Sequence, residues 1–296
     1  MQHSFAYEEI RLKKYLTKQD ITDIKALQDI CYSYDKVNLK LELDYRRDME
    51  RTMSGLGQLD EFLYYIDGKL VSYLSISCFS SRIAEITGMT HPEFRRKGIF
   101  SRLFNLATAE VHKRDFRKVL LLADRKSEAG AAFIASTGAK YDLSEYYMQL
   151  PKLTESAETG PVGLRNAEQK DLAEIRRQDC IYFDEEMNED EIEISGHDFA
   201  ATYMAELDGK VIGKIRIDIS GDSAYLLGFG ILPEYRGRGL GKATLKEALR
   251  LLAEKGLKSA ALDVVATNAN ALNLYKSSGF TEASTMDYYC YASSDQ

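Results

Sequence analysis

The sequence is poor in the residues that build disulfide frameworks, metal sites and membrane spans. Four cysteines and four histidines occur in 296 residues, with no Cys-x-x-Cys and no ligand-like histidine spacing. We therefore expect free thiols and no metal. No apolar run approaches the ~20 residues of a membrane-spanning helix. The first ten residues are charged where a signal peptide has an apolar core. These absences predict a cytoplasmic chain that contacts no membrane.

Charge is distributed unevenly along the chain, whose net charge is −7. Residues 1–150 carry 23 basic against 21 acidic side chains, and the remaining residues carry 16 against 25. Much of the acid lies in residues 184–193, and a solvated acidic segment is its simplest interpretation. If these acids instead face a cleft, they favour a cationic ligand and disfavour nucleic acid.

One stretch combines an apolar strand, a glycine-rich turn and the start of a helix. Residues 224–230 are apolar, Pro233 ends the strand, and residues 242–252 show helical spacing of apolar positions. Between them lie glycines 237, 239 and 241 and two arginines, Arg236 and Arg238. Unpaired N–H groups at a helix start attract anions, so this stretch predicts a phosphate site. A glycine-capped turn with solvated arginines is the alternative.

Two other phosphate loops do not match this stretch. A Walker loop needs Ser or Thr after its lysine, whereas Lys242 is followed by Ala243. A dinucleotide fingerprint has the spacing Gly-x-Gly-x-x-Gly, and the glycines here are Gly-x-Gly-x-Gly. Asp263 lies roughly where a ribose-binding acid would stand. A nicotinamide-dependent oxidoreductase therefore stays as a disfavoured alternative.

The order Arg-x-x-Gly-x-Gly after a strand ending in Ile-x-Pro resembles the GNAT superfamily of acyl-CoA-dependent N-acyltransferases. A second signature of that family follows downstream and matches at Asn268, Ala271, Leu274, Tyr275, Gly279 and Phe280. The resemblance covers roughly residues 165–292. It implies an α/β fold, acetyl-CoA as cosubstrate and an amine as acceptor.

An internal repeat fixes the expected architecture. Asp67-Gly68 returns as Asp208-Gly209, and further residues recur at the same step of 141, namely Pro92, Arg95, Gly98 and Gly138 as Pro233, Arg236, Gly239 and Gly279. We predict two tandem GNAT-like domains, each a mixed, mostly antiparallel sheet flanked by helices. The expected boundaries are 1–150 for a degenerate first domain, 151–163 for a linker and 164–296 for the catalytic domain.

The two copies differ at the positions that matter for chemistry. Phe100, Ser127, Gly130 and Ile134 stand where the second copy has Gly241, Asn268, Ala271 and Tyr275. An isoleucine cannot donate a proton, so we assign catalysis to the second copy. Whether the first copy binds coenzyme A is open, because it keeps Arg95, Lys97 and Gly98.

The resemblance implies a role for each matching residue of the second copy. Tyr275 would be the general acid that protonates the departing thiolate. Coenzyme A would be held by Gly230, Ile231, Leu232, Arg236, Gly237, Arg238, Gly239, Leu240, Gly241, Asn268, Ala271 and Tyr275. A backbone N–H between Gly230 and Leu232 would polarise the thioester. Tyr275 as a core tyrosine and Asn268 as a helix cap are the structural alternatives.

These assignments predict an N-acetyltransferase that acts on a primary amine of a small molecule or peptide. A non-catalytic acetyl-CoA sensor or assembly module is the alternative, favoured if Tyr275 points away from the cleft. The sequence names no general base. A water relay to an acid of 184–193 or to Asp218 is one hypothesis. The acceptor, the acyl chain length and the oligomeric state are not fixed by these motifs.

Overall fold

The computed structural model describes residues 7–41, 43, 58–80, 83–114, 116–154, 159–183 and 196–293. The chain divides into two compact units. Unit 1 consists of residues 1–144 and 285–296, and unit 2 consists of residues 145–284.

The elements alternate between strands and helices in the order expected for two α/β copies. The first copy contains β1 (Glu8–Lys13), α1 (Lys18–Asp35), β2 (Glu61–Ile66), β3 (Lys69–Ser80), β4 (Ile83–Thr90), α2 (Ile99–Val111), β5 (Lys118–Asp124), α3 (Glu128–Thr137) and β6 (Lys140–Leu150). The second contains β7 (Gly163–Asn166), α4 (Leu172–Phe183), α5 (Gly196–Ala201), β8 (Thr202–Leu207), β9 (Lys210–Ser220), β10 (Ser223–Ile231), α6 (Leu240–Glu254), β11 (Ser259–Val265), α7 (Ala269–Ser277) and β12 (Thr281–Ser293).

Each unit is built on one mixed sheet, as predicted. In unit 1 the strand order is β1-β2-β3-β4-β5-β12, and in unit 2 it is β6-β11-β10-β9-β8-β7. Within each sheet only one neighbouring pair is parallel, β4 with β5 and β10 with β11. A parallel pair needs a crossover connection, which α2 and α6 supply.

Both copies contain a hairpin at the Asp-Gly dipeptide of the repeat. Asp67 and Gly68 have φ of 47° and 76°, and Asp208 and Gly209 have φ of 50° and 74°. Positive φ at both central residues is the type I′ geometry that matches the twist of the flanking strands. The Asp-Gly dipeptides therefore set the register of β2 with β3 and of β8 with β9.

The core of unit 2 lies between its sheet and helices α6 and α7. Leu245, Ala248 and Leu252 are fully buried on α6 and contact apolar side chains of β9, β10 and β11. This is the face that the helical spacing of residues 242–252 predicted. The opposite face of the same three strands carries polar side chains.

The last strands of the two copies are exchanged between the units. Residues Glu145–Leu150 of β6 pair with β11 in unit 2, and residues Met286–Ser293 of β12 pair with β5 in unit 1. Met148 is 0% exposed in the core of unit 2. In unit 1 the carboxylate of Asp287 accepts hydrogen bonds from Arg125 and Ser144. The unit boundaries thus differ from the boundaries at 150 and 164 that the repeat suggested.

The constant step of 141 residues conceals two compensating bulges. Unit 1 has one extra residue in β3, between Ser77 and Ser80. Unit 2 has one extra residue in β10, between Leu227 and Gly230. The two insertions cancel, so an ungapped sequence comparison passes over both. Only unit 2 has its bulge in the strand that leads into the glycine-rich loop.

The exchanged strand predicts how fragments of the chain behave. A fragment of residues 145–284 keeps the part of β6 that pairs with β11, residues 145–150, whereas a fragment of residues 164–296 loses it, together with six residue pairs to β11. Losing a buried methionine alone costs about 2–5 kcal/mol. We expect the 145–284 fragment to unfold cooperatively in urea, and the 164–296 fragment to be less stable by at least about 2 kcal/mol. Equal stability of the two fragments would show that β6 is dispensable to unit 2.

Candidate functional site

A gap opens between the two parallel strands of unit 2. β10 and β11 pair only from Ser223 with Ser259 to Leu226 with Leu262. β10 continues to Ile231 and β11 to Val265, all within the described residues 196–293. The ends of both strands therefore present backbone N–H and C=O groups to the gap with no sheet partner on that side. Such groups need a hydrogen-bond partner from elsewhere.

The bulge of β10 stands where the gap begins. Gly228 has φ of 52°, which glycine adopts at little cost. Its carbonyl oxygen lies 3.5 Å from the Nζ of Lys214, which is buried and pairs at 2.6 Å with Asp179 of α4. The bulge thus contacts a partly buried ion pair from a neighbouring strand and helix. No sequence pattern indicates this pair, because its members lie 35 residues apart.

The glycine-rich loop has the geometry of an anion site. Gly237 and Gly239 have φ of 72° and 75°, as the predicted loop requires, and α6 begins at Leu240. The first helical hydrogen bond runs from Ala243 N–H to the Gly239 carbonyl at 3.1 Å. The N–H groups of Leu240, Gly241 and Lys242 therefore point out of the helix start without an intrahelical acceptor. Arg238 is exposed beside them.

The two copies use the arginine before this loop differently. Arg236 donates from Nε to the Ile231 carbonyl at 2.7 Å, and Arg95 donates likewise to the Thr90 carbonyl at 2.9 Å. The terminal nitrogens of Arg95 are taken up by both carboxylate oxygens of Asp35. No described residue accepts a hydrogen bond from the terminal nitrogens of Arg236. Only unit 2 keeps this charge available for an anion.

The three predicted thioester donors are not equivalent. The N–H of Leu232 donates to the Ile212 carbonyl at 2.9 Å and so points towards β9. Because backbone direction alternates along a strand, the N–H of Ile231 points to the opposite side, into the gap. Gly230 lies beneath the ring of Tyr182, where a Cβ atom would come within 2.5 Å of the ring carbons. A side chain at position 230 is therefore excluded.

The start of α7 borders the gap and is capped by Asn268. Its Oδ1 accepts the Ala271 N–H at 3.1 Å, which is the helix-cap role. Ser127 caps α3 of unit 1 in the same way, by accepting from Gly130 at 3.1 Å. The cap role of Asn268 is confirmed, and it leaves the side-chain amide N–H₂ without a described acceptor. A binding role for that amide stays a prediction.

Tyr275 lies on the α6 and α7 side of the sheet. It is 8% exposed and belongs to the core cluster of unit 2, with its ring edge-on to Phe280 at 5.9 Å. Burial raises the pKa of Tyr275 to about 12, so the hydroxyl stays protonated at neutral pH. Buried tyrosine hydroxyls usually find a partner. No described residue forms a hydrogen bond with this one.

Aromatic rings fill the corresponding region of unit 1. β4 and β5 also stop pairing early, after Ile86 with Leu121. There the ring of Phe100 lies against Gly88 of β4, so that a Cβ atom at Gly88 would come within 2.8 Å of it. Phe100 packs edge-on against Phe133 at 4.7 Å. In unit 2 the equivalent Gly241 is open, since a Cβ there would meet its nearest neighbours only at 3.8 Å.

The polar face of the unit 2 sheet distinguishes it further from unit 1. Three alternate positions of β9 carry Lys214, Arg216 and Asp218, where β3 has Tyr73, Ser75 and Ser77. The neighbours Ile215 and Ile217 face the core that contains Tyr275, so the charged side chains face the other way. The acidic segment 184–193, for which the sequence favoured a solvated segment and left open a place at a cleft, lies outside the described residues.

Two negative findings concern the described part of the chain only. No helix there is long and apolar enough to cross a membrane. No group of three or more His, Cys, Asp or Glu side chains there is arranged to hold a metal ion.

Comparison with known proteins places these features in one family. A family model described as "Acetyltransferase (GNAT) family" matches residues 169–280. A Bacillus subtilis (strain 168) protein whose name describes it as a ribosomal protein bS18-alanine N-acetyltransferase is 30% identical over 118 residues. That match covers 39% of this chain and 78% of the relative.

Other similarities cover a smaller share or are more distant in sequence. The mycothiol acetyltransferase of Clavibacter michiganensis subsp. michiganensis (strain NCPPB 382) is 38% identical over 78 residues, which is 26% of either chain. The chain thus matches about a quarter of that enzyme's length. A solved tandem GNAT protein from the clavulanic acid biosynthesis pathway superposes with a TM-score of 0.69 at 14% identity. It covers 98% of this chain and 100% of its own, and this likeness concerns the fold alone.

The paired loops allow a matched test of the anion site. Gly239 and Gly98 have φ of 75° and 77°, and neither has a neighbour within 4 Å of a built Cβ. Gly239→Asp and Gly98→Asp should therefore destabilise the fold equally, by about 1 kcal/mol. We expect Gly239→Asp to weaken acetyl-CoA binding more than about tenfold, through repulsion of phosphate, and Gly98→Asp to leave it unchanged. Titration calorimetry with acetyl-CoA measures the affinity of both variants and of the wild type. The reverse pattern would move the donor site to unit 1.

Proposed function

Because the chain belongs to the GNAT acetyltransferase family, we propose that it transfers an acetyl group from acetyl-CoA to a primary amine of a small molecule or peptide. The reaction takes place in unit 2. The observation that carries this proposal is the gap between β10 and β11, which ends at the glycine-rich loop. An extended acyl-pantetheine arm has amide groups that match unpaired strand backbone, and its pyrophosphate matches a helix start.

The donor would be held from its phosphate end inwards. The N–H groups of Leu240, Gly241 and Lys242, with Arg236 and Arg238, would bind the pyrophosphate. Gly237 and Gly239 would let it approach the loop closely. The arm would then lie along β10 and hydrogen-bond to backbone groups that face the gap, with Asn268 and Ala271 of the α7 start on its other side. This arrangement directs the acetyl group towards the bulge at Gly228.

The side chains at the gap of each unit support the proposal that acetyl transfer takes place in unit 2. Phe100 and Phe133 occupy in unit 1 the space that Gly241 leaves open in unit 2. Arg95 is neutralised by Asp35, whereas Arg236 has no such partner among the described residues. We therefore propose that unit 1 is a scaffold that turns over no acetyl-CoA.

Unit 2 would perform a direct transfer. The Ile231 N–H would bind the pantetheine arm, and a backbone N–H of β10 that faces the gap nearer the bulge would donate to the thioester oxygen and stabilise the negative charge that develops there. As the carbon–nitrogen bond forms and the carbon–sulfur bond breaks, Tyr275 would give its proton to the departing thiolate and recover one from the amide nitrogen. The raised pKa of Tyr275 keeps that proton in place before the reaction.

The acceptor side favours a cationic amine. Two cations on the polar face of the sheet stand among four carboxylates, namely Lys214 and Arg216 with Asp179, Asp198, Asp218 and Asp263. An excess of negative charge attracts protonated amines and repels nucleic acid. The assay described below determines which amine is the acceptor.

The proposal is tested by binding and by turnover. Acetyl-CoA should raise the melting temperature, because a ligand that binds the native state stabilises it, and NAD should not. Thiol release from acetyl-CoA should then depend on one or more amines from a panel of polyamines, aminoglycosides and lysine-terminated peptides. Binding of acetyl-CoA with no amine-dependent thiol release would favour the sensor alternative. Stabilisation by NAD instead would favour an oxidoreductase.

Tyr275→Phe isolates the proton donor. The change keeps the ring, its packing and its contact with Phe280, and it removes only the hydroxyl. We expect kcat to fall on the order of 10²-fold or more, with acetyl-CoA affinity unchanged. Stability should change by roughly 1 kcal/mol at most, because the hydroxyl has no described protein partner to lose. A variant as fast as the wild type would leave Tyr275 as a core residue.

A further inference from the structure

Asp218 is a partly buried carboxylate that accepts no hydrogen bond from the described residues. Its Oδ1 is buried and accepts no hydrogen bond. No described residue donates to its other oxygen either. The side chain is still 33% exposed, so a ligand can reach it. Buried carboxylate oxygens are normally hydrogen-bonded, and leaving one unpaired costs roughly 1–3 kcal/mol.

The nearest cation does not supply the missing bond. The Nε of Arg216 lies 3.7 Å from Oδ1 of Asp218, beyond hydrogen-bonding distance, and this nitrogen is itself buried without an acceptor. The same guanidinium is held by Asp198 of α5 at 3.1 Å. Arg216 is thus kept beside Asp218 without neutralising it through a direct bond. Both groups are left with unmet hydrogen-bonding capacity on the open face of the sheet.

The register of the sheet places Asp218 level with the closed end of the gap. Asp218 pairs across the sheet with Tyr225, and the next residue, Leu226, is the last that pairs with β11. In the proposed arrangement, the acetyl group of a donor that enters from the glycine-rich loop points towards this closed end. Asp218 faces the side of the sheet opposite to Tyr275. An amine that reaches the acetyl carbon from the Asp218 side therefore has the departing thiolate on the Tyr275 side.

We infer that Asp218 binds the ammonium group of the acceptor and takes its proton. The inference rests on the proposed function. Asp218 accepts one proton from the R–NH₃⁺ group, which leaves a neutral R–NH₂ with a lone pair. That lone pair forms the bond to the acetyl carbon as the carbon–sulfur bond breaks. Asp218 then releases its proton to water, so the overall products are the acetamide, coenzyme A as thiol and one proton.

The groups around Asp218 favour its role as a proton acceptor. Burial raises its pKa above the ordinary value, Arg216 and His197 lower it, and Asp198 raises it. Tyr225 faces it from β10, with its hydroxyl donated to Asp263 at 2.5 Å. A raised pKa makes the carboxylate a better proton acceptor. Unit 1 has Ser77 at this position and no equivalent base.

Asp218→Asn tests the inference. It removes the proton acceptor and keeps the shape. With whichever amine of the panel the wild type acetylates, we expect kcat/KM to fall on the order of 10²-fold or more. The wild-type kcat/KM should also decline as pH falls through the pKa of Asp218, because only the ionised carboxylate acts. This decline of kcat/KM at low pH, the acid limb of the pH profile, should be absent from Asp218→Asn. Asp218→Glu should restore part of the rate and the limb.

Two controls separate the possible failures. Asp222→Asn removes a charge from the same unit at an exposed pair with Lys258, and it should leave kcat/KM unchanged. Calorimetry should show wild-type acetyl-CoA affinity in Asp218→Asn, since the residue lies away from the loop. Transfer that survives Asp218→Asn, or an unchanged acid limb, would overturn the inference and leave the proposed function standing. No transfer by the wild type to any amine of the panel would overturn both.

Discussion

Backbone groups that a sheet leaves unpaired must be satisfied elsewhere, and both units of this protein contain a parallel pair of strands that stops pairing before it ends. In unit 2 the unpaired ends border an open groove that begins at the bulge of Gly228, beside the partly buried pair of Lys214 and Asp179. In the proposed function, the glycine-rich loop, the start of α7 and Tyr275 act on a donor bound in this groove. Without the gap they would be ordinary helix starts and a core tyrosine.

Unit 1 shows what the same fold becomes when the groove is filled. The early end of the pairing between β4 and β5 is retained, but Phe100 lies against the strand and Asp35 takes up the arginine of the loop. The polar face also changes, with hydroxyl and aromatic side chains where unit 2 has Lys214, Arg216 and Asp218. Apolar filling and a closed ion pair agree with the scaffold role proposed for unit 1.

Local sequence patterns predicted most of the fold and the loop, and long-range contacts account for the rest. The Asp-Gly hairpins, the strand before Pro233 and the helix after Gly239 each follow from residues within about ten positions, so their patterns were sufficient. The exchange of β6 and β12 leaves no such pattern, since both copies end in a similar acidic-Tyr-Tyr strand that would fit either sheet. The bulges were hidden by their cancellation, and the pairs Arg95–Asp35 and Lys214–Asp179 join distant residues. Asp218 was one of several acids that the sequence left open as a base, and only its missing hydrogen bonds distinguish it from the others.

Because the strands are exchanged, the two units are completed at different times during synthesis. All of unit 2 has been made once residue 284 has left the ribosome, although its first strand begins at residue 145. Unit 1 has most of its residues early, but the edge of β5 stays uncovered until residues 286–293 arrive. At roughly 5–20 residues per second, that edge waits several seconds or more. An exposed edge strand is a template for pairing with another chain. The first half of this protein is therefore the part that most needs protection from aggregation while the second half is being made.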